Sequence, residues 1–309
     1  MKVDLVTRFY YEDLYIEHFI NYYLALGFDH IYILWQNDQN MPPNFDNKFV
    51  TIIEHNYKGD DVIKKIPELI VASSEYTFIC DSDEYLYLKN YKNIQEFLKT
   101  IPNDADQIFF HWANVVNFSL FEKKVDLFEI LESNKLYADL RIKSIIKTEK
   151  LYCKNIVIGS HCMYNVKSYL WNNWVESKPI HKTDAKSYYT SDYPFIVHFI
   201  SRSMQNNFIK CFSTYFLPKK IYDIDNFKDI VREKKIYEIK KIYKFALFFG
   251  HLNFIELPSI NLNFKKILIN FEEENKLLES ICEKNNIDYL DLVEYMKKID
   301  DEFSHLFQK

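Results

Sequence analysis

Only four residues of this chain are glycine, Gly27, Gly59, Gly159 and Gly250, and they are widely separated. A P-loop or a G-x-G-x-x-G turn needs clustered glycines so that backbone amides can approach phosphate. Both are excluded, and a bound nucleotide diphosphate would have to be met by a metal ion or by basic side chains. Cysteine is sparse as well: Cys80, Cys153, Cys162, Cys211 and Cys282 form no C-x-x-C pair. An odd, scattered set fits reduced, mostly buried thiols in a reducing compartment. No window reaches the ~18–20 apolar residues of a membrane span, and Met1 to Arg8 lacks the apolar core of a signal peptide. A soluble, cytoplasmic protein is the expectation. Positive charge is in deficit too, with a formal net charge of −5, which argues against a nucleic-acid partner.

What is present is a globular balance, 48% hydrophobic and 27% charged over 309 residues. That length buries a real core, and is long for one average domain but short for two independent ones. The 24 Tyr and 26 Phe, with plentiful Lys, Ile and Asn, read as AT-biased coding rather than as stacking chemistry.

Hydrophobic periodicity predicts strands at Val3–Thr7, His30–Trp35, Phe49–Glu54, Tyr76–Cys80 and Gln107–Trp112. Helical patterns lie between them at Glu12–Leu26, ended by Gly27, at Asp60–Ser74 with an interruption near Pro67, and at Asn93–Ile101. Strand and helix alternating at this spacing imply an α/β fold built from βαβ units on a mostly parallel sheet. Further strands are expected at Ile142–Lys147, Ile156–Gly159 and Phe195–Phe199, then helices at 203–216, 227–249, 264–285 and 289–298. A boundary near residue 220 would separate a domain over 1–220 from a helical region over 221–309.

The chemistry concentrates in Asp81-Ser82-Asp83-Glu84, directly after the apolar run YTFIC. Ligands of open α/β sheets bind beyond the carboxyl ends of strands. Two carboxylates one residue apart on a turn can converge on Mn²⁺ or Mg²⁺, hard cations that share oxygen ligands with a diphosphate. The competing reading is an exposed acidic turn. A second constellation is His198 at the end of the run FIVHF, followed by Arg202 and Lys210. Either the imidazole reaches the same metal and the cations face phosphates, or His198 is a core residue and the cations sit on a solvated helix face.

Several blocks, in order over about residues 1–215, resemble the GT-A glycosyltransferases of the family 2-like and family 92 groups. Tyr11-Glu12-Asp13-Leu14-Tyr15-Ile16-Glu17-His18-Phe19-Ile20-Asn21-Tyr22 stands where those proteins carry NE-x-x-x-(L/I)-x-E(W/H)-x-x-(Y/H). Asp81-Ser82-Asp83-Glu84-Tyr85 stands for their D-x-DEF block, and His198 through Lys210 resembles their HY-x-x-KS-x-x-x-F-x-x-K block. The resemblance implies a GT-A fold with a C-terminal helical extension, Mn²⁺ (or Mg²⁺) and a nucleotide-sugar donor, UDP-linked sugars foremost, with a glycan hydroxyl as acceptor. It implies that Asp81 and Asp83 are the metal pair, with His198 a third ligand. Arg202, in place of the usual Lys, would steady the leaving diphosphate. Thr7, Arg8 and Asp38 would lie near the base or ribose, and Ser82 and Lys210 would join the donor-binding set. Phe9-Tyr10-Tyr11 and Trp35-Gln36-Asn37-Asp38 depart from the usual pattern, which leaves the nucleotide open.

An inverting transferase also needs a general base for the acceptor hydroxyl, and its transition state is oxocarbenium-like. Asp139, His161, Glu176 and Asp184 are the candidates between the two blocks. Trp112, Trp171 and Trp174 are candidates either for stacking on sugars or for core packing. The alternatives are a retaining transferase on the same fold and a non-catalytic interaction protein. In the latter, Asp81–Glu84 is a surface turn, and lysine-rich segments such as Arg232-Glu233-Lys234-Lys235 offer peripheral membrane contact or a solvated face.

Overall fold

The apolar runs of the N-terminal half become strands of one mixed sheet. A computed structural model of the chain describes residues 1–37, 39, 42–43, 45–57, 59–117, 125–127, 129, 136–159, 161–179, 191–213, 254–255, 268–269, 271–284 and 286–303. These divide into two compact units, Met1–Ala113 with Ala138–His198, and Asn114–Tyr137 with Phe199–Lys309. The expected boundary near 220 lies outside the described residues.

The chain begins β1 (Val3–Phe9), α1 (Ile16–Ala25), β2 (His30–Gln36), β3 (Val50–His55), α2 (Asp61–Leu69), β4 (Tyr76–Asp81) and β5 (Glu84–Tyr87). There follow α3 (Ile94–Leu98), β6 (Gln107–Val116), β7 (Val125–Asp126), β8 (Leu136–Lys147), α4 (Thr148–Leu151), β9 (Val157–Ile158), β10 (Met163–Tyr164), β11 (Ser168–Leu170), β12 (Asn173–Val175) and β13 (Phe195–Ser201). The sheet order is β12-β11-β6-β8-β4-β1-β2-β3, with β13 pairing β5 and β6. The longest ladders, β1 with β2, β1 with β4 and β2 with β3, are parallel, whereas β4–β8, β5–β13 and β11–β12 are antiparallel. The expected α/β architecture is thus present as a parallel half continued by a mixed one.

Aliphatic side chains cover one part of this sheet. Val62, Ile63 and Ile66 of α2 and Leu151 of α4 pack with Val6, Leu34, Ile79 and Ile146 from the strands. Aromatic side chains do the rest: Phe19, Tyr22 and Tyr23 of α1 meet Phe9, Phe28, Phe78 and Tyr85 at ring separations of 5.0–6.4 Å. Whatever the coding bias, these rings are core, and each large aromatic buries much apolar area. Helix α1 exposes only the stripe Glu17, Asn21 and Ala25, at helical spacing. It stops at Gly27, whose φ of +91° admits the Phe28 N–H to Tyr23 O bond of a C-terminal cap.

The helical pattern over 60–74 ends early: Ile70 is extended, and Pro67 deprives the last turn of a donor. In the second unit, α5 (Met204–Ser213) begins where Ser203 Oγ accepts from Asn206 N at 2.8 Å. Two short strands, β14 (Phe254–Ile255) and β15 (Leu268–Ile269), pair with the start of β8 and with β7. Two helices, α6 (Phe271–Lys284) and α7 (Tyr289–Phe303), follow. The helix expected over 264–285 is therefore corrected at its start. Its first apolar pair belongs to a ladder, and the helix begins at Phe271 with Glu272, Glu273 and Glu274 in its first turn, where acids favour initiation. The helix expected over 227–249 lies outside the described residues.

Candidate functional site

Strands β1 and β4 run parallel and bring Arg8 into register with Asp81 near their carboxyl ends. Arg8 Nε donates to Asp81 Oδ1 at 2.6 Å, while Nη1 donates to Gly59 O and Asp60 Oδ1, both at 3.2 Å. From the other side Lys143 Nζ on β8 donates to Asp81 Oδ2 at 2.7 Å and stands 3.5 Å from Glu84 Oε2. Burial would raise the Asp81 pKa, but Arg8 and then Lys143 outweigh it and hold the carboxyl well below the usual range. Burial likewise works against the Lys143 ammonium, and Asp81 overcomes it, so the lysine stays charged. Charge-assisted bonds of this kind are short and strong.

The turn after Asp81 is tied down on two further sides. Ser82 Oγ donates to Glu12, and both residues are buried. Glu84, fully buried, accepts the Asp81 N–H at 2.9 Å through Oε2, while its Oε1 has no hydrogen-bond partner. Burial pushes the Glu84 carboxyl well above its ordinary value, against the opposing pull of the Lys143 ammonium. Helix α1 grips the strand that follows. Tyr23 Oη donates to Glu84 O at 2.7 Å and accepts from Leu86 N at 3.1 Å, and Tyr22 Oη donates to Leu86 O at 2.9 Å.

Asp83 sits at the tip of the turn. The antiparallel β5–β13 ladder places His198 opposite Glu84, and His198 Nε2 lies 3.6 Å from Asp83 Oδ2. That is beyond hydrogen-bond reach. Ligands of a small octahedral cation at about 2.1 Å stand about 3.0 Å apart when neighbouring and about 4.2 Å when opposite, so this oxygen and nitrogen would meet a single ion after a small shift. Asp81, expected as the other metal ligand, accepts one hydrogen bond on each oxygen, from Arg8 and from Lys143. Among the described residues, no three His, Cys, Asp or Glu side chains gather closely enough to enclose an ion by themselves.

The remaining expected residues are dispersed. Thr7 is buried in β1 with an Oγ1 that has no partner. His161 donates through Nδ1 to Ile142 O at 3.0 Å, which leaves Nε2 as the acceptor nitrogen. Burial, with help from Lys143, pushes its pKa down to about 4. Its ring lies 5.2 Å from that of Trp112, whose ring is also 4.3 Å from that of His198. Asp139 is bound to Arg141 through both oxygens and is not a free base. Glu176 is exposed and paired with Lys178 at 3.1 Å, away from the acidic turn's partners. Arg202 is wholly buried in the second unit, its carbonyl accepting from Asn117 at 3.0 Å and its N–H donating to Asn206 at 3.3 Å. Asp38, Asp184 and the side chain of Lys210 lie outside the described residues. Trp112 is buried and unavailable to a sugar, whereas Trp174 is half exposed beside Tyr169.

Sequence reasoning passed over Lys143, Glu12 and Arg141. The signal for two of them was present in Asp139-Leu140-Arg141-Ile142-Lys143, where alternate positions of a strand carry charge between apolar residues. A lysine inside a strand buried on both faces requires a partner.

No protein-family model matches the sequence, and no curated protein does. Among solved structures, HddC from Yersinia pseudotuberculosis is similar over 71% of this chain and 86% of its own, at 11% identity and a TM-score of 0.25. Among the described residues, no helix is long and apolar enough to cross a membrane.

Proposed function

We propose that this chain is a metal-dependent glycosyltransferase of the GT-A type, moving a sugar from a nucleotide diphosphate to a glycan hydroxyl. The observation that carries the reading is the acidic turn at the carboxyl end of β4. Its tip Asp83 faces His198 at 3.6 Å, and its root Asp81 holds two cations, Arg8 and Lys143. Asp83 and His198 would hold Mn²⁺ or Mg²⁺, which when bound supplies Lewis-acid neutralisation of a departing diphosphate. Arg8 and Lys143, kept charged by Asp81, add fixed positive charge where that group leaves, in place of the missing glycine loop. In an inverting route His161 would offer Nε2 to the hydroxyl proton of an acceptor, as a weak base given its depressed pKa. A retaining course would use the same donor site without that proton transfer, and the anomer of the product separates the two.

The second reading is a structural ion network in a non-catalytic protein, favoured by the pairing of both Asp81 oxygens with cations. One experiment divides them. Purified protein is screened for slow hydrolysis of UDP- and GDP-sugars with Mn²⁺, which needs no acceptor. Metal-dependent release of nucleoside diphosphate is expected, with Asp83→Ala reducing it by roughly a hundredfold or more. Absence of release together with absence of Mn²⁺-dependent nucleotide binding would end the proposal.

A further inference from the structure

Asp139 entered as a candidate base, yet its carboxylate is spent on a neighbour. Residues 139, 141 and 143 share one face of β8, since successive strand side chains alternate. Arg141 Nε donates to Asp139 Oδ2 at 3.0 Å and its N–H to Oδ1 at 2.9 Å, and Nη2 adds a further bond to Oδ2. This fork fixes the plane of the guanidinium, something a lysine in its place would not do. The guanidinium carbon then stands 4.8 Å over the ring of Trp112, close enough for a cation–π contact. Trp112 is 4% exposed, and its ring meets that of His198 at 4.3 Å. His198 in turn faces Asp83. These five side chains form a continuous column that starts at a part-buried ion pair and ends at the acidic turn.

We propose that Asp139, Arg141 and Trp112 are positioning residues which fix the ring plane of His198 so that its Nε2 and Asp83 Oδ2 are presented together to a divalent cation. The inference rests on the reading of Asp83 and His198 as a cation-binding pair. An imidazole can rotate about two side-chain bonds. A ring held by a close, tilted contact with Trp112 loses little further freedom when an ion arrives, so affinity rises without any added ligand. Groups that orient a metal-bound histidine are worth 10–100-fold in metal affinity. The arrangement also accounts for Trp112 as a packed residue, one of the two readings its sequence position allowed.

The test is Mn²⁺ affinity of the full chain, read from the free-ion paramagnetic resonance signal with and without UDP. Asp83→Ala and His198→Ala should abolish binding. Asp139→Asn and Trp112→Leu should weaken it about 10–100-fold, and Trp112→Phe, which restores a ring, should recover most of the loss. A second readout needs no metal. Proton resonances of the His198 ring should carry a ring-current shift from Trp112 that shrinks in Asp139→Asn. This measurement still decides the matter if Trp112→Leu fails to fold. Wild-type affinity in Asp139→Asn and Trp112→Leu, with an unmoved His198 shift, overturns the positioning role while leaving the cation pair standing. A wild-type chain that binds no Mn²⁺ removes the cation pair, and the inference with it.

Discussion

At the scale of single residues, the site is defined by which charges are allowed to exist in a buried setting. Asp81 remains ionised because two cations face it, Lys143 remains charged because Asp81 faces it, and burial pushes the Glu84 carboxyl upward. Removing one member of such a set leaves an uncompensated buried group, which is why buried ion pairs resist piecemeal substitution. His161 offers a cleaner measurement. Its folded pKa, about 4, lies below its ordinary value of 6.5. Between those values the unfolded chain binds a proton that the folded chain refuses, so stability is full above the upper limit and falls as pH drops through the window. His161→Gln should therefore lose less stability than wild type between about pH 7 and about pH 5. We expect the difference to be about 1–2 kcal/mol, allowing for solvent at a partly exposed ring, measured by urea denaturation at the two pH values. Equal losses in the two proteins would show that His161 titrates normally.

At the scale of elements, helix α1 acts as a clamp for the turn between β4 and β5. Three of its side chains reach across to β5: His18 Nδ1 meets Tyr85 Oη at 3.0 Å, and Tyr22 and Tyr23 bond to backbone groups of Glu84 and Leu86. Tyr23→Phe keeps the ring and its packing but withdraws the hydroxyl from two buried backbone groups. A buried donor or acceptor left without its partner costs about 1–3 kcal/mol, and guanidinium or urea denaturation should register a loss of that size. Tyr23 and Tyr85 are near-parallel at 6.4 Å, and since the phenylalanine preserves that contact, a negligible change would mean that the backbone of β5 needs no clamp. The same helix explains the requirement at Gly27. A Cβ there would approach Gln95 Oε1 to 2.6 Å, in addition to the positive φ.

At the scale of the whole molecule, the sheet gathers residues from distant parts of the chain into one row. Arg8 of β1, Asp81 of β4, Lys143 and Arg141 of β8 and Trp112 of β6 follow the strand order β1-β4-β8-β6, and His198 comes from β13, which pairs with β6. UDP and Mn²⁺ together should raise the thermal midpoint by a few degrees, as about 2.7 kcal/mol of linkage at a hundredfold excess over Kd would do. Mn²⁺ alone or UDP alone should do less than the pair. Equal shifts with and without the ion would argue that nucleotide is bound by the cations Arg8 and Lys143 unaided.

Part of this was readable from residues in order. The strands at 3–9, 30–36 and 76–81 follow from short apolar runs, and the acidic turn follows from Asp81-Ser82-Asp83 placed directly after a buried strand. The lack of clustered glycine directed attention to carboxylates and bases, because phosphate must be met by something. Periodicity reports which face of an element is buried, and so it located the elements and the turn. It does not report which strand lies beside which. Only the folded sheet decided that Asp81 is engaged by Arg8 and Lys143, that Asp139 anchors Arg141, and that Arg202 is buried within the second unit. Those partnerships join residues up to 73 positions apart in the case of Arg8 and Asp81. Asp139 and Arg141 meet within one strand, but the contacts of Asp81 with Arg8 and Lys143 depend on register between strands, and register is a property of the tertiary structure.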